Sequence, residues 1–174
     1  MRKIAHVLCQ CAVTLLAATQ LVIAGNSDLE IHCTPKKIDE TVNKASDGGA
    51  ATTKQHWNYE VTVENKTFKD LADLEVKYVV FLKQEQLGVK ATATPRQEKG
   101  SFTISGLKPH EKKSFTTAPV EIKKSNLVGN WIYTSGAKPN AQDTLVGVAI
   151  RFYQNGQQFA EYANPPNLAK EKWE

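Results

Sequence analysis

Two β-prone runs flank Asn155-Gly156 in the stretch LVGVAIRFYQNGQQFAEYANPP, Leu145 to Pro166. Both central positions of a type I′ turn need positive φ, which Asn and Gly tolerate at least cost, so the stretch predicts a β-hairpin. Along its first arm Val146, Val148, Ile150 and Phe152 share one face, and Gly147, Ala149, Arg151 and Tyr153 share the other. A two-stranded hairpin is marginal alone in water, so its apolar face requires further strands from the rest of the chain. Its register stays open. A two-residue turn sets Phe152 opposite Phe159 but Ile150 opposite Glu161, which is wrong for a core. A three-residue loop with a bulge sets Ile150 beside Ala160, Val148 beside Tyr162 and Arg151 against Phe159 outside.

The other strands follow by the same period of two. Trp57, Tyr59, Val61 and Val63 alternate with Asn58, Glu60, Thr62 and Glu64, a strict pattern that no helix shows. LEIHCT, Leu29 to Thr34, reads as a first strand with Cys33 on its apolar side, ended or bent by Pro35. LEVKYVVFLK, Leu74 to Lys83, carries Val79 and Phe81 on the face opposite Leu74, Val76, Tyr78, Val80 and Leu82. Such a strand is central, or is covered on its far side by something else. Weaker strands are expected over Gly88 to Thr94 and Leu127 to Ser135, with RQEKG (96–100) as a charged turn and Pro119 marking an edge or a break. The polar stretch 36–55, with SDGGAATT at its centre, reads as a long loop.

The 174 residues fit one domain preceded by a leader. Arg2 and Lys3 precede an apolar run, Ile4 to Ala24, with no acidic residue and small Val22 and Ala24 before Gly25. This is the pattern of a secretory signal peptide over residues 1–24, cleaved after Ala24. A retained membrane anchor is the competing reading, but His6, Cys9, Gln10, Cys11, Thr14, Thr19 and Gln20 dilute the run. Cleavage removes Arg2 and Lys3, taking the formal charge from +4 to +2, and leaves Cys33 as the single thiol. An exported chain with one cysteine has no internal disulfide and must be held by packing. Dispersed lysine pairs give no reason to expect nucleic acid.

The order WNYEVTVENKTFKDLADLEVKYVVF, then GSFTISGLKPHEKKSF, then a closing hairpin resembles the immunoglobulin-like and fibronectin type III-like sandwiches found as modules in exported proteins. The run from Phe102 to Pro109 carries the likeness most clearly. The chain is also similar to small exported bacterial proteins that end in a YxNGxxxxEYAxP hairpin. The resemblance implies an all-β fold, an immunoglobulin-like antiparallel β-sandwich of about seven to nine strands over 25–166, with 167–174 as a C-terminal tail. It carries no active-site motif, and the chain lacks both the corner tyrosine and the cysteine pair of those families.

Chemistry is sparse in the sequence. His32 adjoins Cys33, but neighbours on a strand point to opposite faces, so they do not form a nucleophile and base. His32, His56 and His110 stand at no metal-ligand spacing, and no metal or cofactor is expected. Asn65-Lys66-Thr67 matches a glycosylation acceptor. Aromatic side chains carry the remaining signal: Trp57 and Tyr59 share a face with valines and read as core, whereas Tyr153 lies beside Arg151 on the opposite face of its strand. The expectation is a non-catalytic exported module, periplasmic or extracellular, for protein interaction or cell-envelope structure. The alternative is a carbohydrate-binding module using exposed Trp or Tyr, and an enzyme with an unrecognised site is the least favoured. Arg151, Tyr153, Phe159 and the penultimate Trp173 are the candidate contact residues for a protein or envelope partner.

Overall fold

The computed structural model describes residues 28–90 and 93–172. The leader (1–24) and Trp173 lie outside the described residues. Among the described residues there are nine strands: β1 Leu29–Asn43, β2 Ala50–Asn65, β3 Leu74–Gln84, β4 Thr94–Ile104, β5 Lys112–Thr116, β6 Val120–Leu127, β7 Asn140–Gln142, β8 Thr144–Gln154 and β9 Gln157–Asn164, followed by a 3-10 turn, Pro166–Lys170. They form two antiparallel sheets. One runs β1-β2-β6-β7, with β5 also paired to β2; the other runs β4-β3-β8-β9.

The sheets meet through the faces that the period of two marks out. Tyr59, Val61 and Val63 of β2 lie inward with Ile31 and Cys33 of β1 and Phe115 of β5. Leu74, Val76, Tyr78, Val80 and Leu82 of β3 face them, flanked by Val148, Ile150 and Phe152 of β8. Val61, Val63, Leu74, Val76, Val148, Ile150 and Phe152 are fully buried. Each such side chain contributes roughly 1.5–3 kcal/mol of transfer free energy, the main term opposing chain entropy where the described residues hold one cysteine, Cys33, as a free thiol. Gly100 on β4 stands opposite Tyr78, and a Cβ there would overlap the Tyr78 ring and hydroxyl. That gap lets the hydroxyl reach across to accept the Ala118 N–H at 2.8 Å.

The far side of β3 explains its second set of apolar residues. Val79 and Phe81 pack with Ala149 and Ala163 under Leu168 of the 3-10 turn, forming a small core on the outer face of the second sheet. β3 is therefore both central and covered, and the C-terminal turn belongs with the sandwich rather than to a loose tail.

The first sheet has one edge made of two pieces. β2 pairs with β6 over Ala50–Trp57 and with β5 over Glu60–Glu64. Between them Thr117 is buried, its hydroxyl accepting the Tyr59 N–H while its own N–H donates to the Tyr59 carbonyl. Pro119, just beyond, cannot donate to a ladder and marks the break.

Several sequence expectations are corrected. The stretch 36–55 is not a loop: β1 continues to Asn43, β2 begins at Ala50, and only 44–49 turn between them. Pro35 does not end β1 because β1 is an edge strand. Tyr59, its partner, turns its N–H and C=O toward Thr117, so Pro35 sits where no ladder donor is required. RQEKG is strand, since β4 pairs with β3 from Lys83↔Pro95 to Leu74↔Ile104. The expected strand over Gly88 to Thr94 reduces to Thr94 alone among the described residues, and the connection turns at Gly88 with φ +78°. Of Leu127 to Ser135 only Leu127 is strand; Gly129, at φ +89°, takes the chain out of the sheet.

The hairpin has the two-residue turn, with φ 52° at Asn155 and 77° at Gly156, and a bulge as well. Tyr153 faces Gln158, but Phe152 faces Ala160, which leaves Phe159 as the extra residue on β9. Ile150 then meets Tyr162, Arg151 meets Glu161, and Phe159 packs against the main core instead of lying outside. The bulge resolves the conflict that a plain two-residue turn created, because it moves Glu161 off the core face.

Asn65 is a structural residue rather than an exposed acceptor for a glycan. It is completely buried, with its amide nitrogen 2.8–3.1 Å from the carbonyls of Lys69, Leu107 and Lys108 and its amide oxygen accepting from the Thr67 N–H and hydroxyl. A sugar on that nitrogen has no room in the native fold.

Candidate functional site

Of the described residues that sequence reasoning singled out, Arg151 and Tyr153 share the outer face of β8 and Phe159 does not. The Arg151 guanidinium donates to Glu161 at 2.7 Å and to the Ala169 carbonyl at 3.2 Å, tying β8, β9 and the 3-10 turn together. Tyr153 is half-buried, with the Lys77 ammonium 4.9 Å from its ring centre. Phe159 faces the core side.

The thiol and two phenols cluster inside. Cys33 lies beside Val61, near Tyr59 and Tyr162, and burial pushes its pKa up to about 12. Burial raises Tyr59 and Tyr162 as well. All three stay neutral at pH 7, as core groups rather than nucleophiles. Alkylation of Cys33 at pH 8 is expected to run at least about a hundredfold slower in the folded chain than in urea, because the thiolate is the reacting species. Equal rates in a thiol-labelling time course would contradict this placement. The histidines stand apart: His32 pairs with Glu30 at 2.9 Å, His56 with Asp39 at 2.7 Å, and His110 meets Phe68 edge-on at 5.2 Å between ring centres.

Exposed apolar side chains concentrate on loops. At one end of the sandwich Phe68 is 86% exposed. At the other, three connections come together: the β1–β2 tip (44–49), the described part of the β3–β4 connection (85–90 and 93) and the β6–β7 loop (128–139). Backbone hydrogen bonds lock the first and third, Gly48 N–H to Val128 and Val128 N–H to Gly49. Trp131 is 56% exposed and Ile132 80% exposed there, with Val89 nearby in the β3–β4 loop at 44%.

Trp131 is fixed in place despite its exposure. Its indole N–H donates to the Asp47 carboxylate at 3.2 Å, and one side of the ring rests on Gly48, where a Cβ would lie 3.4 Å from the indole nitrogen. Tyr133, two residues on, rests against Gly88, where a Cβ would come within 3.1 Å of the ring. Glycines at both points admit the rings and adopt the positive φ that the turns need, +77° and +78°. Between Val89 and Gly136 opens a cleft of about 380 Å³ whose wall includes Glu85, Gln86, Lys90, Lys138 and Asn140.

One buried group holds the base of this end. Asp143 accepts the Glu85 N–H on one carboxylate oxygen and the Lys123 N–H on the other, each at 3.0 Å, and so joins the two sheets below the cleft. Sequence reasoning missed the loop end because it assigned Trp131 and Ile132 to a strand. Gly129, directly before Asn130 and Trp131, is the signal that argues for a turn.

No family model matches the sequence, and no curated protein matches it. Among solved structures the chain is similar to a Northeast Structural Genomics Consortium target, SoR45, at 11% identity and a TM-score of 0.34, covering 78% of this chain and 85% of that one. A crystal structure from Akkermansia muciniphila is similar at 10% identity and a TM-score of 0.28, covering 79% and 72%. Among the described residues no helix is long and apolar enough to cross a membrane.

Proposed function

We propose that the chain is a non-catalytic, exported binding module with an immunoglobulin-like strand arrangement, serving protein interaction or cell-envelope structure. The signal-peptide pattern of residues 1–24 supports export. The strand order supports the arrangement: β1, β2 and β5/β6 fall in one sheet and β4, β3, β8 and β9 in the other, as strands A, B, E and C′, C, F, G do in immunoglobulin-type sandwiches. The observation that carries the binding reading is the exposure of Trp131 and Ile132 together on a loop that hydrogen bonds lock to the β1–β2 tip, with Val89 exposed on the β3–β4 connection. A preorganised apolar patch loses little entropy on binding.

Strand addition at an edge is less well supported. β1 carries Pro35, Lys36, Lys37, a bulge at Ile38 and then Asp39 and Glu40, and β4 carries Pro95, Arg96 and Lys99. Proline, lysine and bulges are the devices that keep sheet edges from pairing. The test compares Ile132→Asp with Val42→Asp, on the loop end and the β1 edge, in crosslinking of the chain from Gly25 onward to its partner. Ile132→Asp is expected to weaken retention by about tenfold or more and Val42→Asp to leave it unchanged. The reverse pattern would return the site to the edge.

A second reading, a carbohydrate-binding module, is favoured by the fixed indole of Trp131. A ring held by Asp47 and Gly48 on one side offers its other side as a stacking surface.

A further inference from the structure

We infer that the hairpin turn at Asn155-Gly156 is a self-modification site, where the Asn155 side chain closes on the Gly156 amide, releases ammonia and leaves aspartyl and isoaspartyl forms of the chain. The inference stands apart from the loop end and its partner. The first support is the neighbour. Asn155 alone among the chain's asparagines precedes a glycine, so no Cβ shields the backbone nitrogen that attacks. The second is access. Both residues are exposed, and a Cβ on Gly156 would meet nothing within 4 Å. The ladder ends at the Gln154↔Gln157 pair, and among the described residues neither the Gly156 N–H nor the Asn155 side chain makes a hydrogen bond. The third is contrast. Asn65 is buried and bonded through both amide atoms, Asn164 precedes a proline that has no N–H to attack, and exposed Asn130 is followed by the bulk of Trp131.

The chemistry balances with water alone. Hydroxide takes the Gly156 N–H proton, the nitrogen adds to Asn155 Cγ, and the Cγ–Nδ2 bond breaks as ammonia leaves with a proton from water. Water then opens the resulting cyclic imide at either carbonyl. Breaking the new bond to Cγ gives aspartate, and breaking the original peptide bond gives isoaspartate, whose main chain runs through Cγ. The two products act differently on the hairpin. Aspartate tolerates the φ of 52° found at Asn155, and Asp-Gly serves a type I′ turn as Asn-Gly does. Isoaspartate puts an extra methylene into the main chain of a two-residue turn. Gln154 and Gln157 then no longer meet in register, and the neighbouring Tyr153↔Gln158 pair, next to the bulge at Phe159, loosens with them.

The experiment incubates the full folded chain in mildly alkaline and in mildly acidic buffer, digests samples at intervals, and separates the asparaginyl, aspartyl and isoaspartyl peptides by chromatography and mass spectrometry. Asn155 is expected to convert about tenfold or more faster than exposed Asn43 and Asn130, and faster in the alkaline buffer, with isoaspartate among the products. Gly156→Ala restores a Cβ beside the attacking nitrogen and should slow conversion by about tenfold or more. Because Gly156 sits at φ +77°, that variant strains the turn, so the same comparison is made in urea, where the neighbour acts without the fold and the slowing should persist. Hydrogen exchange on the separated products should be faster at the Gln154 and Gln157 amides in the isoaspartyl form and native in the aspartyl form. An Asn155 that stays intact in the folded chain while converting in urea overturns the inference, since the turn would then hold the amide out of reach. Conversion no faster at Asn155 than at Asn130 overturns it as well, and equal protection in the two products removes the effect on the hairpin.

Discussion

Asn65→Ala should be among the most damaging single changes in this chain, lowering unfolding free energy by about 2–4 kcal/mol. The Thr67 N–H loses its side-chain acceptor, and the carbonyls of Lys69, Leu107 and Lys108 lose the buried donor that gathers them. Those carbonyls each keep one other donor, from Thr67 Oγ1, Leu71 N–H and Glu111 N–H respectively, which keeps the cost below that of several orphaned groups. Asn65→Asp separates hydrogen bonding from size, because it keeps the shape but turns an oxygen toward three carbonyl oxygens. Its folded carboxyl is pushed above the ordinary value of about 3.9, so the folded state prefers the protonated form. The penalty relative to the native chain is thus small below about pH 4 and grows as pH rises through the folded value. Thr67→Ala, which loses the hydroxyl bonds to Asn65 and Lys69, should cost only about 1 kcal/mol. Urea denaturation of the three variants at pH 7 and near pH 4 measures each figure. An Asn65→Ala variant within about 0.5 kcal/mol of the native chain would remove Asn65 from its place as the organiser of this end.

The legible part of the fold was its inward faces. Alternation of Trp57 to Val63, and the doubled apolar pattern of Val79 and Phe81, report burial directly, and burial is what a strand in a two-sheet fold selects for. The illegible parts were those where pairing, not burial, makes the strand. Residues 36–43 and 50–55 are polar because that long arm is largely open to solvent, yet β1 and β2 still pair along it. RQEKG is charged because β4 is an edge, with Arg96 and Glu98 paired to each other in a partly exposed setting. Conversely, WIY at 131–133 has strand-like composition and forms none, because its partners are Asp47, Gly48 and Gly88 from distant turns. The candidate site inherits that limit. A surface assembled from three loops has no period, so only its glycines announce it. The hairpin register shows the same thing at smaller scale: the mismatch of Ile150 with Glu161 signalled a bulge, but not which arm would carry it.

Asp143→Ala is expected to lower stability by about 3–5 kcal/mol, which for a domain of this size moves the thermal midpoint by roughly 10 °C. A hydrogen bond to an ionised carboxylate is worth about 1.5–3 kcal/mol, and Asp143 accepts two, at Glu85 and Lys123, while itself only 4% exposed. Deletion leaves two backbone N–H groups unpaired where the sheets meet. Asp143→Asn keeps the size but must turn an NH₂ group toward one of those donors, so about half the loss is expected. The consequence reaches the cleft. Glu85 leads directly into the β3–β4 loop, and Lys123 into the part of β6 that pairs with β7, so Asp143 sets the spacing of the two walls. Hydrogen exchange in Asp143→Asn should accelerate first at the Glu85 and Lys123 amides and in the loops above them, while the Tyr59 and Ala118 amides, bonded elsewhere, keep native protection. Uniform acceleration across both sets would mean that the carboxylate supports the sandwich as a whole and not the loop end in particular.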